Sequence, residues 1–119
     1  MLDYIYIENF LSIKKIEVKD LSKLDIVGII GSFADKKGYS NGSGKSGWNE
    51  SFDFAMNGTH RYKTDAEVIR LGTDFCKVIM EHINGKNKIR ITRMLKRKPN
   101  NPKATTSTVM VELNGEKVT

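Results

Sequence analysis

Seven consecutive residues, Ser40-Asn41-Gly42-Ser43-Gly44-Lys45-Ser46, have the types and spacing to hold a polyphosphate. Glycines let successive backbone N–H groups converge on a centre that side chains would otherwise block. The lysine ammonium neutralises the terminal phosphates, and the hydroxyl that follows ligates Mg²⁺. This is the chemistry of a Walker A phosphate loop. It assigns Lys45 to the β- and γ-phosphates, as the charge-stabilising group of any phosphoryl transfer, and Ser46 to the metal. The amides of Gly42, Ser43, Gly44, Lys45, Ser46 and Gly47 would meet phosphate oxygens, and Asn41 would shape the loop or lie beside the γ-phosphate. Strict spacing places a glycine five residues before Gly44, where this chain has Tyr39. The carboxylates Glu50, Asp53 and Asp74 fall at helix or loop positions, not at the end of a buried strand, so none is assigned as a general base.

A phosphate loop needs a strand before it and a helix after it, and the pattern offers both. Residues 24–30 form an almost continuous apolar run of Leu24, Ile26, Val27, Ile29 and Ile30, as a strand buried on both faces reads. Residues 46–57 place Trp48, Ser51, Phe52 and Ala55 at helical spacing, and Asn57-Gly58 supplies a stop. Residues 3–9 and 15–20 alternate as an antiparallel pair with one wet face. Val68, Ile69 and Leu71 make a short apolar patch after a polar connector. Asn84-Gly85 joins a strand at 75–83 to one at 88–95, and Asn114-Gly115 follows the alternating Val109, Val111 and Leu113. Residues 98–103, with Pro99 and Pro102, read as an exposed loop, and the hairpin at Asn114-Gly115 is expected to lack its return strand. The predicted fold class is α/β: a β-rich N-terminal lobe of a P-loop NTPase, with antiparallel strands flanking a central strand–P-loop–helix unit.

With 119 residues there is room for a single core, and no apolar run approaches the length of a membrane helix. The lone Cys76 makes no internal disulfide, which points to a reducing cytoplasm, nucleoid-associated or free. Of the 20 Lys and Arg, eight (Lys86, Lys88, Arg90, Arg93, Lys96, Arg97, Lys98 and Lys103) fall between Ile83 and Val111 without an intervening acid. The remaining 12 face 14 acidic residues, so the net charge of +6 belongs to one segment. That segment could meet DNA phosphates or form solvated strand faces. Arg90 and Arg93, three apart on a strand, should point to opposite faces. His60 and His82 have no ligand companions at metal spacing. Lys36, Lys37 and Tyr39 read as a surface insertion before the loop, or as a lid over a nucleotide.

The order of these features resembles the N-terminal lobe of an SMC/SbcC-type ATPase head, the DNA-repair branch of the ABC ATPases. The match lies in Ile7-Glu8-Asn9-Phe10-Leu11-Ser12, in the loop at residues 40–46, in Arg70-Leu71-Gly72 and in Lys88-Ile89-Arg90-Ile91-Thr92-Arg93. It implies that residues 1–119 are a single partial domain, with the rest of the head and a coiled coil supplied elsewhere. It also implies ATP and Mg²⁺ as cofactors, a contact from Ser12 to nucleotide, engagement with a second ATPase head, DNA binding and a nuclease subunit as partner. ATP hydrolysis would need residues from the second lobe. This chain departs from the family in having Leu11 where a basic residue is usual, in lacking any glutamine, and in having about eight residues inserted before the loop. Two rival readings are a non-enzymatic nucleic-acid-binding module built on the basic hairpins and a small P-loop kinase or GTPase. The second lacks its guanine motif, since Asn87-Lys88-Ile89-Arg90 ends without an acid.

Overall fold

In Tyr4-Ile5-Tyr6-Ile7 the isoleucines take one side of a strand and the tyrosines the other, and that alternation organises the sheet. The structure, a computed structural model, describes residues 1–21 and 43–118, with backbone alone for residues 43–49. Strand β1 (Leu2–Phe10) pairs antiparallel with β2 (Ile13–Val18), Ile7 opposite Ile16. Its other edge pairs antiparallel with β3 (Phe75–Asn84), Ile5 opposite Met80 and Ile7 opposite Val78. Then follow β4 (Asn87–Lys98), β5 (Asn101–Leu113) and the short β6 (Glu116–Lys117). The result is a six-stranded sheet of order β2-β1-β3-β4-β5-β6 in which every pairing is antiparallel. Helix α1 (Ser43–Asn57) packs on the Ile5/Ile7 face, and a 3-10 turn spans Asp65–Val68. Among the described residues no helix is long and apolar enough to cross a membrane.

This architecture corrects the expected fold class. The described residues form an antiparallel sheet with one helix against it, not an α/β fold arranged around a strand–P-loop–helix unit. The physical reason lies in the connections. Two-residue turns join β3 to β4 and β5 to β6, and turns that short can only reverse the chain. The strand expected at residues 24–30 and the insertion at 32–40 lie outside the described residues.

The turns also correct the expected boundaries. Asn84 pairs with Asn87, so the turn residues are Gly85 and Lys86, with Gly85 at φ +64. Asn114 and Gly115 take φ of 52 and 89, the double positive φ of a type I′ turn, and, contrary to expectation, the return strand is present as β6. The loop expected at 98–103 is instead another tight turn. Lys98 pairs with Asn101, and Pro102 already lies in β5, next to the residue-103 amide that donates to Asn101 Oδ1 at 3.2 Å.

The core lies between the sheet and α1. Ile5, Ile7, Val78, Met80 and Leu95 are buried from the strands, Phe54, Ala55 and Ser51 from the helix, and Val68 and Ile69 from the connector. Leu71, by contrast, is 90% exposed, so only part of the expected apolar patch is core. The helix begins at Ser43, three residues before the expected start, and its inward stripe is Ser51–Phe54–Ala55 with Phe52 partly buried. Phe54 and Phe10 meet with ring centroids 5.4 Å apart, and burying each ring contributes about 1.5–3 kcal/mol. Gly58 ends the helix as expected, at φ +72, with its N–H donating to Phe54 O at 2.8 Å.

Candidate nucleotide site

Ser43, Gly44, Lys45, Ser46 and Gly47 lie in the opening turns of α1. The first N–H groups of any helix lack intrahelical acceptors, and the aligned peptide dipoles leave positive character there. The first turn of α1 contains no acidic residue that would compete with an anion. A polyphosphate at this end would therefore meet unpaired donors and a favourable dipole. Asn41 and Gly42 lie outside the described residues, as do Tyr39, Lys36 and Lys37.

Ser12 is exposed in the turn between β1 and β2, after Leu11 at φ 52. That turn is fastened to the connector. Leu11 N–H donates to Val68 O at 2.7 Å, Arg70 N–H donates to Asn9 O at 2.8 Å, and Phe10 bridges to Ile69. Ser12 and Arg70-Leu71-Gly72, distant in sequence, are thus brought to one end of the sheet. Gly72 takes φ +84, and Thr73 closes the turn with its hydroxyl donating to Arg70 O at 2.7 Å.

The basic segment divides by strand parity. Arg90 faces away from the helix, its Nη1 donating to Glu81 Oε2 at 3.2 Å, and Lys88 reaches the same carboxylate at 3.8 Å. Arg93 faces α1, so the two arginines do point oppositely. Arg97 donates to three backbone carbonyls, Thr73 at 3.0 Å, Pro102 at 3.0 Å and Ile69 at 3.3 Å. Several of the cations that read as one patch are therefore committed to internal partners. Lys86, Lys96, Lys98 and Lys103 remain exposed. No pattern in the sequence points to the Arg93 and Arg97 roles, because their acceptors are main-chain carbonyls.

Among the carboxylates, Glu50 accepts from Arg61 N at 3.2 Å and pairs with the Arg61 side chain at 3.4 Å, stapling α1 to the chain that follows it. Asp53 and Asp74 are exposed. His60 Nδ1 accepts from Tyr62 N at 3.2 Å, which leaves Nε2 as the donor to Asp65 Oδ1 at 2.8 Å. Among the described residues the buried His82 Nε2 meets no hydrogen-bond partner, and burial holds the imidazole below its usual pKa. Cys76 is a buried β3 residue whose thiol burial pushes up to about 12, far from thiolate chemistry.

Neither a family model nor any curated protein matches this chain. Solved structures do. One is described as the structure of the recombination mediator protein RecF-ATP in the RecFOR pathway, at a TM-score of 0.58 and 16% identity. The likeness is one of fold. It covers 99% of this chain and 27% of the RecF chain, so the sequence spans about a quarter of that protein. The sheet and helix described above therefore belong to a fold that a known ATP-bound recombination protein also contains.

Proposed function

We propose that this chain is the ATP-binding lobe of an SMC/SbcC-like ATPase acting in DNA repair or chromosome maintenance. The observation that carries this reading is a coincidence of chemistry and place: Ser43-Gly44-Lys45-Ser46-Gly47 opens α1, where a helix favours an anion. The fold likeness to RecF-ATP supports the choice of ATP over other phosphates. In this reading Lys45 neutralises the β- and γ-phosphates and Ser46 ligates Mg²⁺. Amides from Gly42 to Gly47 hold phosphate oxygens, while Asn41 and Ser12 approach the nucleotide from the loop and the β1–β2 turn. Residues 1–119 act as one part of a larger head. A second head, a water-activating carboxylate from outside this chain, DNA and a nuclease subunit complete the machine. Nucleotide binding then serves head engagement, and hydrolysis by this chain alone is negligible.

A titration with a fluorescent ATP analogue, with and without Mg²⁺, tests the reading. The wild-type chain should bind, and Lys45→Ala should weaken binding by about 10–100-fold, the loss of a charge-assisted contact. Equal binding by both proteins would refute the assignment. Salt-dependent DNA binding, indifferent to ATP and to Lys45→Ala, would instead favour the nucleic-acid-binding module.

A further inference from the structure

Arg93 is a half-buried cation that has no carboxylate partner among the described residues. A charge taken out of water is costly unless it is bonded, so what surrounds this one is informative. Its Nε donates to Ala55 O at 3.3 Å, and its guanidinium carbon lies 6.0 Å from the centre of the Phe54 ring. Gly58 gives it room: a Cβ there would come within 2.7 Å of Nη1. Three residues at the C-terminal end of α1 thus enclose one side chain from β4. Ala55 O is among the last carbonyls of the helix, which have no intrahelical donor. The last turn of α1 also contains no basic residue, so the cation that complements its negative end comes from the sheet.

We propose that Arg93 is a positioning residue for the phosphate site. It fixes the C-terminal end of α1 on the sheet and so sets where the opening turns of that helix lie. The proposal rests on reading the opening turns of α1 as the nucleotide site. The Phe10–Phe54 contact anchors the same end of the helix, but apolar contact has little directionality, whereas a hydrogen bond from a fixed strand position selects one orientation. Leverage makes the orientation matter. At 1.5 Å per residue α1 is about 20 Å long, so a tilt of about 5° at the Arg93 end moves the other end by roughly 2 Å. Displacements of that size disrupt phosphate positioning.

The test compares Arg93→Met, which keeps the stem and removes charge and donors, with Arg93→Lys, which keeps the cation. Two readouts are used: amide hydrogen exchange of the nucleotide-free chain and affinity for the fluorescent ATP analogue. Arg93→Met should speed exchange about tenfold across α1, including residues 43–47, while β1 and β3 amides hold. It should also weaken ATP binding by about 5–10-fold, and Arg93→Lys should recover most of both effects. Unchanged exchange in α1, or equal losses in Arg93→Met and Arg93→Lys, would overturn the proposal. Should Arg93→Met expose β1 and β3 equally, the residue supports the whole sheet and the proposal also falls. Failure of the wild-type chain to bind ATP would strike the nucleotide reading by itself. The exchange measurement needs no nucleotide and still decides whether Arg93 fixes α1.

Discussion

The two faces of the sheet are built from the same strands and differ in what lies over them. On the helix side, Ile5, Ile7, Val78, Met80 and Leu95 disappear under α1 and the connector, and the cations there, Arg93 and Arg97, bond main-chain carbonyls. On the other side no described element covers the strands. Polar side chains there bond one another: Tyr4 OH donates to Glu17 at 2.6 Å, Tyr6 OH donates to Glu8 at 2.8 Å, and Arg90 meets Glu81. A groove of about 340 Å³ crosses this open face between Lys77, Ile79, Arg90, Met94 and Met110. Even here Ile79 is only 6% exposed, screened by its neighbours on the strands. The contrast teaches that a charge's role is set by its cover. The same segment supplies solvent-screened ion pairs on one face and structural clamps on the other.

That contrast can be broken most severely at Phe54. Phe54→Ala should cost about 3–5 kcal/mol in chemical denaturation, enough to bring a small domain close to unfolding. Arg97→Ala comes next, at about 2–4 kcal/mol, because three carbonyls lose their donor together. Arg97→Lys should restore little of it, since an ammonium cannot serve three acceptors spread around a planar fork. On the open face, Tyr4→Phe should change stability by about 1 kcal/mol or less, the net value of one exposed hydrogen bond. The open face has a pH signature as well. Burial and the bonded carboxylates push Tyr4 and Tyr6 up to about 12 from 10.0. Their contribution is therefore complete below pH 10 and declines as pH rises through 12. Ultraviolet titration, compared with Tyr4→Phe and Tyr6→Phe, should find Tyr4 and Tyr6 ionising late, and Glu17→Gln should bring Tyr4 back toward the ordinary range. A large loss from Tyr4→Phe, or none from Arg97→Ala, would erase the distinction between the faces.

Much of the sheet was legible because strand alternation and Asn-Gly turns are local signals. Tyr4 to Ile7 announced β1, Gly85 and Gly115 announced two reversals, and Gly58 announced the end of α1. The fold class was not legible. The apolar run at 24–30 suggested a parallel α/β centre, whereas the pairing partners of β1 and β3 are set by contacts distant in sequence. Pro99 and Pro102 looked like a loop because a tight turn and an open strand edge both accept proline. At the candidate site, the phosphate-loop reading rests on residue type and spacing. The main-chain partners of the two arginines could not be read that way. Arg93 and Arg97 look in sequence like any cation on a basic strand, and only the fold reveals the carbonyls they meet.

The order of pairing has a consequence for how the chain assembles. β3, β4, β5 and β6 follow one another through tight turns, so each ladder closes over a short stretch of chain. The seam between β1 and β3 is different: the Met1 ammonium donates to Ile83 O across 82 residues at 2.7 Å. Closing so long a segment costs entropy that only the finished core returns. The same strand β1 ends at Phe10, which reaches Phe54 of the helix. The Phe10 contact that seats α1 is therefore completed late, by the same event that joins the first hairpin to the meander. Opening of that seam would strip the Phe10 contact from the helix and leave the Arg93 contact from β4 to hold it.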